Sequence, residues 1–228
     1  MISPQIFGFH IIRRWFILFS AMSKFNLFLT LVIFLLLIAP SQRAQTPQAN
    51  AQPDKKWNDL LTALESENWV TSADLSSLYL SQAQNSIDAA SAAKLRFMYL
   101  YSAAGRVSEG KQTFDDLEKQ VKQFVGKDIT IPFQKIRSKC ERGPLFNTIC
   151  AGESGNQAMI TASNAAATTI HAFVYIRLKE KFDFANNDEK IGSVSGRIDS
   201  IALNPNKSLF LIMRIYISDA GISVKEAP

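Results

Sequence analysis

The stretch Ile170–Lys179, IHAFVYIRLK, decides how the rest of the chain is read. The two-residue period of a strand puts Ile170, Ala172, Val174, Ile176 and Leu178 on one face. It puts His171, Phe173, Tyr175, Arg177 and Lys179 on the other. The first face is plain core. The second is aromatic where it starts and basic where it ends, which suits either contact with a ligand or packing against another part of the same chain.

On both sides of this stretch the texture is alternation broken by turns. Ile129, Ile131 and Phe133 alternate in DITIPF, and Ala158–Ala162 is a short apolar run. The polar segment FANNDEK follows the central strand. GSVSGRIDSI, Gly192–Ile201, then alternates again, Asn204, Pro205 and Asn206 mark a turn, and Leu209–Ile217 supplies a closing strand, LFLIMRIYI. Five strands with regular turn signals predict a small barrel of antiparallel neighbours.

Before Gly126 the period is helical. Trp57, Leu60, Leu61 and Leu64 form one stripe at i, i+3, i+4 and i+7. Thr71 and Asp74 resemble a capping signal ahead of Leu75, Leu78 and Tyr79; an alanine-rich run carries Leu95, Met98, Tyr99 and Tyr101 and should stop at Gly105. Thr113 should cap a last helix with Phe114, Leu117, Val121 and Phe124 inward. About four short helices are expected. No repeat near 34 residues is evident, and the charged run Asp115–Lys122 reads as a solvated helix face.

The ordering GKDITI, a long middle, GSVSGRI and a closing strand ending ISDAGI resembles the oligonucleotide/oligosaccharide-binding (OB) fold, in particular its exported bacterial and tRNA-anticodon-like members. The resemblance covers about residues 124–222. In GSVSGRI, Gly196 permits sharp barrel curvature while Val194 and Ile198 face inward. What the resemblance implies is a ligand surface on the second and third strands of the barrel, made here by His171, Phe173, Tyr175 and Arg177. Rings there would stack on bases or sugars, and Arg177 would hold an anion. The competing expectation is that the N-terminal helices, which need an apolar partner, cover Phe173 and Tyr175.

Charge and cysteine bound the setting. Residues 1–51 carry Arg13, Arg14, Lys24 and Arg43 and no acid, whereas residues 52–228 carry 21 Lys and Arg against 20 Asp and Glu. The basic balance therefore belongs to the leader, and the folded part lacks the clustered excess that polynucleotide binding needs. Phe25–Ala39, FNLFLTLVIFLLLIA, preceded by Lys24, reads as a signal for export with cleavage after Ala44 or Ala51. A signal starting at Met22 would have ordinary length. Its rivals are a weak twin-arginine match at Arg13 and Arg14 and an uncleaved membrane anchor extended by Ile6–Phe19. In an oxidising compartment Cys140 and Cys150 suit a disulfide closing a small loop; a redox pair or half a metal site fits the spacing less well.

Catalytic signals are sparse. His171 is the only histidine after the leader, so any triad would have to draw on a strand centre. No phosphate loop, dinucleotide fingerprint or Gly-x-Ser-x-Gly occurs. Glu141 with Glu153 could serve a glycosidase only if brought together, and Asn186, Asn187, Asp188 and Glu189 read as a polar turn without the pattern of a calcium loop.

The combined expectation is an α+β chain: a leader over 1–51, a helical subdomain over 52–125 and a five-stranded OB-like barrel over 126–228. The first functional reading is an exported, non-catalytic binding or scaffold protein of the cell envelope with a protein partner and no cofactor or metal. An oligosaccharide or other polymer bound through the aromatic strand face is the alternative, and a hydrolase the weakest. Nucleic acid is disfavoured, and contact with a membrane is expected only through an uncleaved leader.

Overall fold

The computed structural model describes residues 55–82, 88–140 and 147–225, so the expectations for the leader lie outside the described residues. Six strands are present: β1 Asp128–Arg137, β2 Thr148–Ala151, β3 Gln157–Ser163, β4 Ile170–Leu178, β5 Ile191–Leu203 and β6 Leu211–Val224. They close into a barrel in the order β1-β2-β3-β4-β6-β5. Strand β4 has the alternation read from it. Ile170, Ala172, Val174, Ile176 and Leu178 are buried, and Ile129, Ile131, Ile149, Ile160, Val194, Ile198 and Ile215 join them in the core. β-Branched side chains dominate because they pack well on a pleated, buried surface.

Two expectations need correction. The barrel has six strands, not five, because β2, TICA, is too short to show alternation in sequence. It is wedged between β1 and β3, parallel to the first through Lys135–Arg137 and antiparallel to the second through Ile149–Ala151. Nor are all neighbours antiparallel, since β4 and β6 run together from Ile170↔Leu211 to Leu178↔Ala220. β5 is occupied on one side by β1 and on the other by its hairpin partner β6. That leaves β6 as the neighbour of β4, and the crossover makes the pair parallel.

The disulfide Cys140–Cys150 is formed, with Cα atoms 5.8 Å apart, and ties the chain just after β1 to β2. It closes a short loop. Replacing both cysteines with serine should lower unfolding free energy by about 2–3 kcal/mol on chain-entropy grounds. Urea unfolding would measure this, and a loss below about 0.5 kcal/mol would mean that the reduced chain already holds this loop closed.

Residues 179–190 connect β4 to β5 and reach the barrel core. Phe184 is buried there and meets Phe182 edge-on at 4.9 Å. The polar turn is fastened to β1: Asp188 Oδ1 accepts from the Ser138 backbone N–H at 2.7 Å, and Glu189 pairs with Lys135 and Arg137. The Ser138 amide, with Arg137 and Lys135 nearby, holds the Asp188 carboxyl below the usual range.

Four helices precede the barrel: α1 Lys55–Glu65, α2 Trp69–Gln82, α3 Ala89–Ser108 and α4 Phe114–Val121, followed by a 3-10 turn, Lys122–Phe124. Helix α4 begins as read. Thr113 Oγ1 accepts from the Asp116 N–H at 3.1 Å, and Phe114, Leu117, Val121 and Phe124 are buried. Helix α2 starts before Thr71, because Asn68 Oδ1 takes the Thr71 N–H at 3.2 Å and does the capping itself. Leu61 of the α1 stripe is exposed while Leu60 and Ala63 are buried, a narrower stripe than expected. Helix α3 does not stop at Gly105 but continues to Ser108, and the glycine there serves packing instead. An ideal Cβ on Gly105 would lie 2.3 Å from Trp69 Cδ2 of α2. The helices and the barrel belong to one compact unit, Asn50–Pro228. No helix of the described residues is long and apolar enough to cross a membrane.

A divided aromatic face as candidate functional site

The outward face of β4 carries His171, Phe173, Tyr175 and Arg177 in that order along the strand, and the structure divides them. His171 is fully buried beneath α2 and α3. The Trp69 ring of α2 meets it edge-on at 4.7 Å, and the Tyr101 ring of α3 lies 4.8 Å away. Trp69 and Tyr101 also touch each other, 5.2 Å apart and nearly perpendicular. Two hydrogen bonds fix this box: Tyr101 Oη donates to the Ser163 carbonyl at 2.6 Å, and Ser72 Oγ of α2 donates to Ser102 Oγ of α3 at 2.8 Å. Loss of solvation pushes the His171 imidazole down to about 4, and the nearby Tyr101 backbone opposes that shift only in part.

Further along, the cover ends. Phe173 is half-buried and leans on Tyr175 at 4.9 Å, while Tyr175 itself is 40% exposed. The helices thus cover His171 and leave Tyr175 open, an outcome between the two expectations for this face. Tyr216 of β6, 38% exposed, stacks on Tyr175 with ring centroids 4.9 Å apart and planes within 7°. The two residues are partners in the parallel register. Their separation is that of neighbouring strands, so the rings stand upright side by side and turn their edges and hydroxyls outward.

On its other side Tyr216 faces Ser200 of β5, and its strand neighbour Arg214 faces Ala202. Both partners on that side are short, and Tyr216 is 38% exposed. Arg177 closes the open end of the face by pairing with Asp199 at 3.6 Å. Asp199 lies where the β5 register shifts, and its Oδ1 accepts from Ser218 Oγ at 2.5 Å. Tyr216 was absent from the residues picked out of the sequence. Its alternation within LFLIMRIYI was visible there, but its place beside Tyr175 follows only from the parallel β4–β6 pair.

The face offers two partly exposed tyrosine rings with their phenol hydroxyls and the guanidinium groups of Arg177 and Arg214. Its histidine is sealed from solvent. Glu153 is exposed, while Glu141 lies outside the described residues. Of the suggested oxygen ligands, Asp188 and Glu189 are engaged with β1 and its following residue as described above, and Asn186 donates its N–H to Asp183. No group of three His, Cys, Asp or Glu that could hold a metal occurs among the described residues. A second exposed apolar feature is the β5–β6 turn, where Leu209 and Phe210 are 51% and 60% exposed. No protein-family model matches the chain, and neither a curated protein nor a solved structure does.

Proposed function

We propose that this protein is an exported, non-catalytic binding module that holds an oligosaccharide across the outer faces of β4 and β6. The observation that carries the proposal is the solvent-open Tyr175–Tyr216 stack, extended by Phe173 and ended by the Arg177–Asp199 pair. A sugar ring laid on the exposed part of the Tyr175–Tyr216 pair would bury its C–H face there, and the phenol hydroxyls and Asp199 would meet its hydroxyl groups. The near balance of charge beyond the leader favours such a ligand over a polynucleotide.

The barrel path supports an OB-type reading of the fold. The order of the five longer strands around the barrel is β1-β3-β4-β6-β5, with β4 and β6 parallel and the short β2 bridging β1 and β3. In that frame β3 and β4 are the second and third strands, whose face is the usual ligand surface of OB barrels. A disulfide suits an oxidising compartment and supports export.

The test is titration of the protein with a panel of glycan oligomers and short oligonucleotides, followed by Tyr216→Ala. Loss of one stacking ring should weaken glycan binding roughly 5- to 150-fold. Unchanged affinity in the variant, or no binding by any glycan, would refute the assignment. The exposed Leu209 and Phe210 favour a second reading, in which a protein partner docks at the β5–β6 turn. Substitutions there, and not at Tyr216, would then abolish the interaction.

A further inference from the structure

His171 is fully buried at the joint between the helices and β4, and neither Nδ1 nor Nε2 has a hydrogen-bond partner of good geometry. The buried Oγ of Ser163, whose carbonyl accepts from Tyr101, is also without one. A neutral imidazole leaves one N–H idle in this box. A protonated one would place two donors and a full charge there, and a buried charge is tolerated only when paired and hydrogen-bonded.

The ionisable groups that the packed elements bring to this joint do not supply that pairing. Helix α2 contributes Trp69, and α3 contributes Tyr101, whose phenol is already donating to Ser163 and is kept protonated by burial. The α1–α2 turn contributes Glu67, whose Oε1 accepts from the Ala165 N–H of the β3–β4 turn at 2.5 Å. β6 brings Ile212, which the register sets beside His171, and then the cationic Arg214 opposite Phe173. A cation–π contact with Trp69 would offset only part of the lost hydration.

We propose that His171 is an acid-sensitive latch: proton uptake by this imidazole releases the α1–α2 arm, through Trp69 and Glu67, from α3 and the β3–β4 turn. Trp69 is the ring by which the arm covers the imidazole, while Tyr101 of α3 stays against its other side. Helix α3 shares the main core with the barrel through Leu100, Ala103, Ala104 and Val107 and stays in place. The arm packs chiefly on a smaller cluster, Leu60, Tyr79, Leu95 and Met98, and is the part able to move. The sign follows from linkage. The folded imidazole holds its proton less readily than the ordinary value of 6.5, so acidification through and below that value favours the opened arm, and above it the latch is closed. Opening would uncover the Trp69 side of His171, in line with Phe173 and Tyr175 on β4. Any effect of that on glycan binding rests on the function proposed above; the latch does not.

Hydrogen exchange on the full chain at pH 7 and pH 4.5, corrected for intrinsic rates, tests it directly. The opening equilibrium of the arm should rise roughly 60-fold between the two. Protection of Trp69–Gln82 should fall while β5 and β6 remain protected, and His171→Phe or His171→Leu should flatten the response. Equal losses in wild type and variants, or helices and barrel losing protection together, would overturn the proposal. An NMR titration of His171 in the unaltered protein decides the matter even if neither variant folds. A midpoint below about 5 supports the latch, and one at or above about 6 refutes it.

Discussion

Alanine at position 105 should destabilise the protein by about 2–4 kcal/mol, against the usual trend for glycine inside a helix, where alanine is favoured by up to about 1 kcal/mol. The reason lies across the helix pair. A Cβ on Gly105 would stand 2.3 Å from Trp69 Cδ2 and 2.5 Å from Cγ, and these are ring atoms near the indole's attachment, with no flexible end to swing away. Trp69 is itself held between Tyr101 and His171, so the ring can move only by breaking the box that joins α2 to the barrel. Urea unfolding of four proteins checks the cause. Trp69→Ala alone should cost about 3–5 kcal/mol. In that background Gly105→Ala should become neutral or stabilising, because the clash is gone and helix propensity remains. A stabilising Gly105→Ala in the presence of Trp69 would show that α2 and α3 do not pack as closely as described.

The same glycine shows where sequence reading stops. Gly105 looks like a helix terminator because nothing local distinguishes a glycine that ends a helix from one that admits a tryptophan 36 positions earlier in the chain. Features set by local chemistry were legible: the Thr113 cap, the inward row of Phe114, Leu117, Val121 and Phe124, and the alternation of β4. The pairing of Cys140 with Cys150 was legible too, because the spacing left few alternatives. Features set by distant partners were not. β2 is four residues long and owes its strand form to β1 and β3 on either side. Half of the candidate face was readable as Phe173, Tyr175 and Arg177 on one strand. The other half, Tyr216 and Asp199, depends on β6 lying parallel to β4 and on a register shift in β5, neither of which leaves a local trace. His171 was placed on the correct face, but whether a helix would cover it depended on contacts 70 and 102 residues away in sequence, to Tyr101 and Trp69.

Gly196→Ala should have a comparable effect, a loss of about 2–4 kcal/mol, and should also disturb the aromatic face. The glycine sits where β5 shifts register against β6, opposite Ile129 of β1 on its other side. An added Cβ would lie 2.5 Å from Ile217 Cγ2, 2.9 Å from Ala220 Cβ and 2.9 Å from the Ser218 carbonyl oxygen. Of these neighbours Ile217 could change rotamer, but the Ser218 carbonyl belongs to the β6 backbone and can yield only if the strand moves. The curvature that glycine was expected to permit is therefore a close approach of two strands. Moving β6 there displaces Ser218, which donates to the Asp199 carboxylate that pairs with Arg177, and Tyr216 lies only two residues away. Stability and binding should thus fall together in Gly196→Ala, whereas Tyr216→Ala should affect binding far more than stability. Adding Ile217→Ala should recover little of the lost stability if the Ser218 backbone is the limiting contact. Full recovery would instead assign the clash to the Ile217 side chain, and the aromatic face would then be indifferent to what occupies position 196.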